Sequence, residues 1–103
     1  MKVAYSEIAK SDLAWFRVYY RSIFPAGAQS ASKQFRRTIA NLLANPYIGH
    51  PVGDEDMREY SVPRMPFSII YRIAEDRIEV ARIWDQRGDP DERGFHEEEQ
   101  VFA

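Results

Sequence analysis

Five arginines in the second half of the chain, Arg58, Arg64, Arg72, Arg82 and Arg87, are the side chains best suited to chemistry on a phosphate or a carboxylate. A guanidinium is a fixed fork of donors that meets either anion through two parallel hydrogen bonds. Arg58 and Arg82 sit inside alternating apolar runs, "MREYSV" and "RIEVARIWDQR". An arginine in such a stripe snorkels to water, pairs with a carboxylate of its own chain, or meets one from a partner. Glu59, Glu79 and Asp85 are the internal carboxylates within sequence reach. Trp84, beside Asp85 and Arg87, completes a set of residue types that dominate binding hot spots, and it serves equally well as core.

Other chemistries find little support. The two histidines, His50 in a Gly/Pro loop and His96 near the C-terminus, lack a second ligand at metal-site spacing, so no metal is expected. Glycine-rich phosphate loops, a nucleophile elbow and a helix-borne histidine pair are all missing, and no cofactor is expected. There is no cysteine, which excludes thiolate chemistry and suits a reducing compartment. No apolar run approaches the ~20 residues of a membrane span, so a cytoplasmic protein without membrane contact is expected.

Charge is distributed unevenly. Residues 1–50 carry seven Lys/Arg against two Asp/Glu (+5), residues 51–87 six against eight (−2), and residues 88–103 one against six (−5). The acidic balance therefore belongs to the end of the chain, and the weakly basic remainder is poor evidence for a nucleic-acid-binding patch.

These side chains must be positioned by a fold that 103 residues can build around one core. Met1 to Tyr5 suits a short strand. Ser6 is a plausible N-cap for a helix whose apolar stripe is Ala9, Leu13, Phe16, Tyr20 and Ile23, closed by Pro25 and Gly27. A second helix from Ala28 to Ala44 carries Ala28, Ala31, Phe35, Ile39 and Leu42 on one face, and Asn45-Pro46 ends it. Three strands follow: Met57 to Val62, Phe67 to Ile73 and Ile78 to Trp84, the last two joined at Ala74–Arg77. Period two places Arg58 with Tyr60 and Val62, and Arg82 with Ile78, Val80 and Trp84. The expectation is an α+β domain over residues 1–88, a helical hairpin on an antiparallel sheet in the order β-α-α-β-β-β, with residues 89–103 as an acidic tail.

Taken together, "IAKSDLAWFRVYY", "NPYIGHPV", "MREYSV" and "MPFSIIYRIAEDRIEVARIWDQR" resemble the RelE/ParE superfamily of bacterial toxins over about residues 1–89. The resemblance implies the same fold and membership in a type II toxin–antitoxin module. The RelE-like branch cleaves messenger RNA on the ribosome with a cluster of basic side chains. Its lysine positions align here with Glu59 and Ser61, its arginine with Ser68 and its frequent histidine with Asp85. The three lysines, Lys2, Lys10 and Lys33, all lie in the N-terminal third. The resemblance is thus closer to the ParE-like branch, whose members poison DNA gyrase by binding.

The expected partners are a cognate antitoxin and DNA gyrase, with the ribosome and messenger RNA as the alternative. The residues assigned to partner binding are Arg58, Arg64, Arg82, Trp84, Asp85 and Arg87, with Phe16 and Tyr20 on the hairpin. A divergent nuclease would draw on Arg58, Arg72, Arg82 and Arg87. An inactive, antitoxin-binding member is the third reading.

Overall fold

The computed structural model describes residues 1–53 and 56–86. Its elements are β1 (Lys2–Tyr5), α1 (Glu7–Ile23), a 3-10 turn (Pro25–Gly27), α2 (Ala28–Ala44), β2 (His50–Pro51), β3 (Arg58–Ser61), β4 (Phe67–Ile73) and β5 (Arg77–Asp85). The strands form one sheet in the order β1-β5-β4-β3-β2. Pairing is antiparallel from β2 to β5, as expected, while β1 lies parallel to β5. The helical hairpin intervenes between these two strands, so no tight turn forces them antiparallel. The two-residue β2 is an addition to the expected strands; the 89–103 tail lies outside the described residues.

Ser6 sets where β1 stops and α1 starts. Its amide donates to the Val80 carbonyl at 3.0 Å, continuing the ladder, while its hydroxyl oxygen accepts the Ala9 amide at 3.0 Å as N-cap. The same hydroxyl donates to the Ala81 carbonyl at 2.7 Å. One buried serine thus ends a strand, caps a helix and ties both to β5.

The two helices bury one face against the sheet. Ala9 and Phe16 of α1 and Ala31, Phe35, Ile39 and Leu42 of α2 join Val62, Phe67, Ile69, Tyr71, Ile78, Val80 and Ile83 in the main core. Phe67 is its aromatic centre, with ring centroids 5.1 Å from Phe16 and 6.1 Å from both Trp15 and Tyr20. Such edge and tilted contacts are preferred geometries between aromatic quadrupoles. Ile23, expected within the α1 stripe, is instead 63% exposed. It lies on the last turn, where the chain is already leaving the sheet through Phe24 and Pro25.

The opposite face of the sheet carries a smaller cluster of Met57, Ile70, Ala81 and Trp84, with Val52 packed beside it. A register shift falls between Ile70 and Tyr71, whose partners are Arg82 and Val80, so Ala81 is the extra residue. This bulge corrects the expected grouping of Arg82 with Ile78 and Val80. Those two face the helices, whereas Arg82 and Trp84 emerge on the other side.

Candidate partner-binding site

On the sheet face away from the helices, period two and the bulge align Glu59 and Ser61 of β3, Ser68 of β4 and Trp84 of β5. Ser61 stands opposite Ser68, and Ser68 opposite Trp84. The buried Ser68 hydroxyl donates to Glu59 Oε2, and the Glu59 carboxylate is itself only 5% exposed. His50 Nε2 lies 3.7 Å from Glu59 Oε1, and Gln86 Nε2 donates to Ser61 Oγ at 2.8 Å. Three of the positions where the resemblance would place nuclease side chains are therefore occupied by a carboxylate and two hydroxyls, all engaged in hydrogen bonds. A carboxylate repels the phosphate that such a site must hold, and neither hydroxyl supplies a proton at neutral pH.

The arginines of β3, β4 and β5, Arg58, Arg72, Arg77 and Arg82, are committed within the chain. Arg82 donates from Nε to Asp12 Oδ2 at 3.0 Å and from Nη2 to Asp12 Oδ1 at 3.3 Å, with its Cζ 5.3 Å from the Trp84 ring centroid. Asp12 Oδ2 also accepts the Ile83 amide at 2.9 Å. β1 ends opposite Val80, so Asp12 takes over the open edge of β5 beyond it. Arg72 and Arg77 both grip Glu79, each at 2.6 Å. Burial pushes the Glu79 carboxyl up, but these two guanidiniums outweigh it and hold the group below its ordinary range.

Arg58 instead builds the loop after α2. Its Nε and Nη2 donate to the Gly49 carbonyl at 3.0 and 2.7 Å, and its Cζ lies 5.3 Å from the Tyr47 ring. Tyr71 fastens the same loop from the sheet, donating to the Pro46 carbonyl at 2.7 Å and accepting the Gly49 amide at 3.0 Å. Gly49 is required there, because a Cβ would lie 2.7 Å from Tyr71 Oη and 2.8 Å from the Glu59 carbonyl oxygen.

The residues assigned to partner binding therefore divide. Tyr20 and Arg64 line one groove, with the buried Phe16 beside Tyr20 and Asp85 paired across the ladder from Phe67. Arg82 and Trp84 lie on the opposite face, Trp84 only 7% exposed, and Arg58 stands apart in its loop. Arg87 lies outside the described residues.

Part of the exposed apolar surface comes from residues not singled out from the sequence. Ile8, Trp15 and the half-buried Tyr19 recur along α1 beside its buried stripe, and Trp15 is 51% exposed with its ring stacked 5.1 Å from Tyr19. The signal was present in their helical spacing, one step around from Ala9 and Phe16. On the outer seam of the hairpin, Arg17, Arg21 and Arg36 line a basic groove of about 460 Å³ floored by Phe16 and Tyr20. Among the described residues no group of three or more His, Cys, Asp or Glu is arranged to hold a metal, and no helix is long and apolar enough to cross a membrane.

The chain's known relatives share this architecture. Residues 3–90 match the model of the ParE toxin of the type II toxin–antitoxin system parDE. No curated protein matches by sequence. Among solved structures, the chromosomal ParDE toxin–antitoxin system from P. aeruginosa superposes with a TM-score of 0.69 at 26% identity, covering 81% of this chain and 92% of that one. YafQ from E. coli strain BL21(DE3) gives 0.62 at 14% identity over 84% and 93%. The YoeB/ParE toxin from Agrobacterium tumefaciens gives 0.59 at 15% identity over 81% and 95%, and these last two share the fold alone. With 88 consecutive residues, 3 to 90, matched to the family model, the chain belongs to the ParE toxin family of type II toxin–antitoxin systems.

Proposed function

We propose that this chain is a toxin that acts by holding a macromolecular target, DNA gyrase, and that a cognate antitoxin neutralises it by covering its surface. The observation that carries this reading is the Glu59–Ser68 pair. A nuclease on this fold needs basic or proton-transferring side chains around the scissile phosphate, and here a nearly buried carboxylate is bonded to a hydroxyl at that place. The arginines that remain on the sheet face are drawn into pairs with Asp12 and Glu79, which reduces their availability to an incoming phosphate.

What is left for function is surface. The exposed aromatic stripe of α1, the Tyr20–Arg64 groove and the arginine-lined seam of the hairpin supply apolar anchors beside positive charge that makes no ion pair among the described residues. That combination suits an antitoxin segment carrying apolar and acidic side chains and folding as it binds. Phe16, Tyr20 and Arg64 are the assigned residues that border it, while Arg82 and Trp84 lie on the opposite face of the sheet and Asp85 pairs with Phe67 in the ladder.

Induction of the chain in cells, with DNA integrity and transcripts followed in parallel, tests the reading. DNA breaks and an SOS response with intact transcripts are expected. Codon-positioned transcript cleavage would replace this reading with the ribosome-dependent nuclease, and undisturbed growth would replace it with an inactive antitoxin-binding protein.

A further inference from the structure

The weakly basic average of the chain conceals a local concentration of charge on the helical hairpin. Its only two acidic residues are engaged, Glu7 with Lys10 at 3.2 Å and Asp12 with Arg82 at 3.0 Å. α2 holds no acidic residue at all. Arg17, Arg21 and Arg36 make no ion pair among the described residues, and all three are exposed.

These three arginines meet in one place. They line the outer seam groove between α1 and α2, together with the uncharged donors Gln29 and Ser32. Arg17, Ser32 and Arg36 also line an adjoining recess of about 270 Å³ that Tyr5 borders, so the two run into one another. Burial pushes the Tyr5 hydroxyl up by more than Arg17 draws it down, which keeps it protonated and a donor at neutral pH. No carboxylate lines either recess.

Local helix energetics account for only part of this arrangement. Arg21 lies on the last turn of α1, where a cation complements the helix dipole. Arg17 precedes it by four residues, the spacing at which like charges repel, and Arg36 sits in the interior of α2 with no acidic residue a turn away. A groove of donors free of carboxylates suits a polyanion, and a phosphate backbone is held by arginine forks and uncharged donors alone. A folding peptide also needs apolar anchor points, and here the aromatic floor is turned inward: Phe16 is 3% exposed, Phe35 8%, and Tyr20 packs on Phe16 at 5.0 Å. Single-stranded nucleic acid likewise asks for exposed rings on which to stack its bases. A duplex does not, and it presents one negative charge per about 1.7 Å of its axis.

We propose that the α1–α2 seam is a site for the phosphate backbone of duplex DNA, with Arg17 and Arg36 as its central contacts. The choice of DNA over duplex RNA rests on the reading of gyrase as the target, whereas the suitability of the seam for a polyanion does not.

Fluorescence anisotropy of a labelled DNA duplex of about 20 base pairs, titrated with the full chain, tests the site. Three phosphate contacts make the affinity fall about 40-fold between about 50 and 200 mM salt. Arg17→Gln and Arg36→Gln are each expected to weaken binding at the lower salt and to contract that fall to about 12-fold. Arg64→Gln removes the same charge from an exposed position outside the seam and is expected to keep the full fall. No binding at the lower salt, or equal losses for Arg64→Gln and the seam variants, would overturn the site. Tighter binding of a duplex RNA of the same length, or of poly-glutamate, would overturn its assignment to DNA in favour of RNA or of an acidic protein segment. The assay contains no gyrase, so a failure here leaves the inhibition of supercoiling to be judged separately, and a failure of gyrase as target leaves the measured DNA affinity standing.

Discussion

Asp12 is the residue on which the geometry of the sheet edge depends most, and its removal has a calculable cost. Its carboxylate accepts the Ile83 amide at 2.9 Å and receives Arg82 through two nitrogens, with side-chain exposures of 19% for Arg82 and 17% for Asp12. Asp12→Ala leaves the Ile83 N–H without its acceptor, at a cost of about 1–3 kcal/mol. It also strands a largely buried guanidinium, for which full burial would cost about 3–5 kcal/mol; partial access to water reduces this to about 1–2 kcal/mol. A total near 3 kcal/mol is expected, a large part of the 5–15 kcal/mol typical of such a domain.

Arg82→Met keeps the Asp12–Ile83 bond and is expected to cost about 1–2 kcal/mol. The double variant is then expected to fall short of additivity by about 1 kcal/mol or more, because the stranded charge is gone. Urea unfolding of the four proteins, followed by Trp fluorescence and far-UV circular dichroism, reads these values. A loss below about 0.5 kcal/mol for Asp12→Ala, or additivity within about 0.3 kcal/mol, refutes the assignment of Asp12 as the edge closure.

Three further outcomes follow from other contacts. Glu79 is held below its ordinary value of 4.5 by Arg72 and Arg77, so its contribution to stability is present above about that pH and is lost as pH falls through the folded-state value; Glu79→Gln is expected to flatten this part of the pH–stability curve. Gly49→Ala pushes a Cβ to 2.7 Å from Tyr71 Oη and 2.8 Å from a backbone oxygen, which is expected to cost about 2 kcal/mol or more in urea unfolding. Arg64→Gly releases a left-handed residue with φ 67° and is expected to raise stability by about 0.5 kcal/mol, the gain in backbone strain exceeding the extra entropy of the unfolded glycine.

The sequence was most legible where one physical signal acted alone. Helical periodicity with Ser6 before it and Pro25 after it located α1, and Ala28–Ala44 is α2 residue for residue. β4 likewise coincides with its apolar run, because a strand buried by helices on one face and by Trp84, Ala81 and Met57 on the other needs bulk throughout. Legibility failed where a tertiary contact overrides local pattern. The bulge at Ala81 leaves no mark in an unbroken "RIEVARIWD", yet it reverses the facing of Arg82 and Trp84. For Arg82 the sequence left open a role in partner binding or pairing with Glu59, Glu79 or Asp85, and the guanidinium meets Asp12, 70 positions away, which only the packing of α1 on β5 brings near. The hydroxyl–carboxylate pairing of Ser68 with Glu59 was equally hidden, since it joins two strands across a ladder, although the identities of both residues already pointed away from a basic catalytic cluster.

Binding without RNA cleavage is tested most directly by giving the purified chain both substrates side by side: gyrase with supercoilable DNA and ATP, and ribosomes programmed with a defined messenger RNA. Inhibited supercoiling or trapped DNA breaks, relieved by the cognate antitoxin, with the message left intact, is the expected result. A message cut at codon-defined positions while gyrase turns over undisturbed would contradict it, and would mean that the Glu59–Ser68 face performs chemistry its side chains give no sign of.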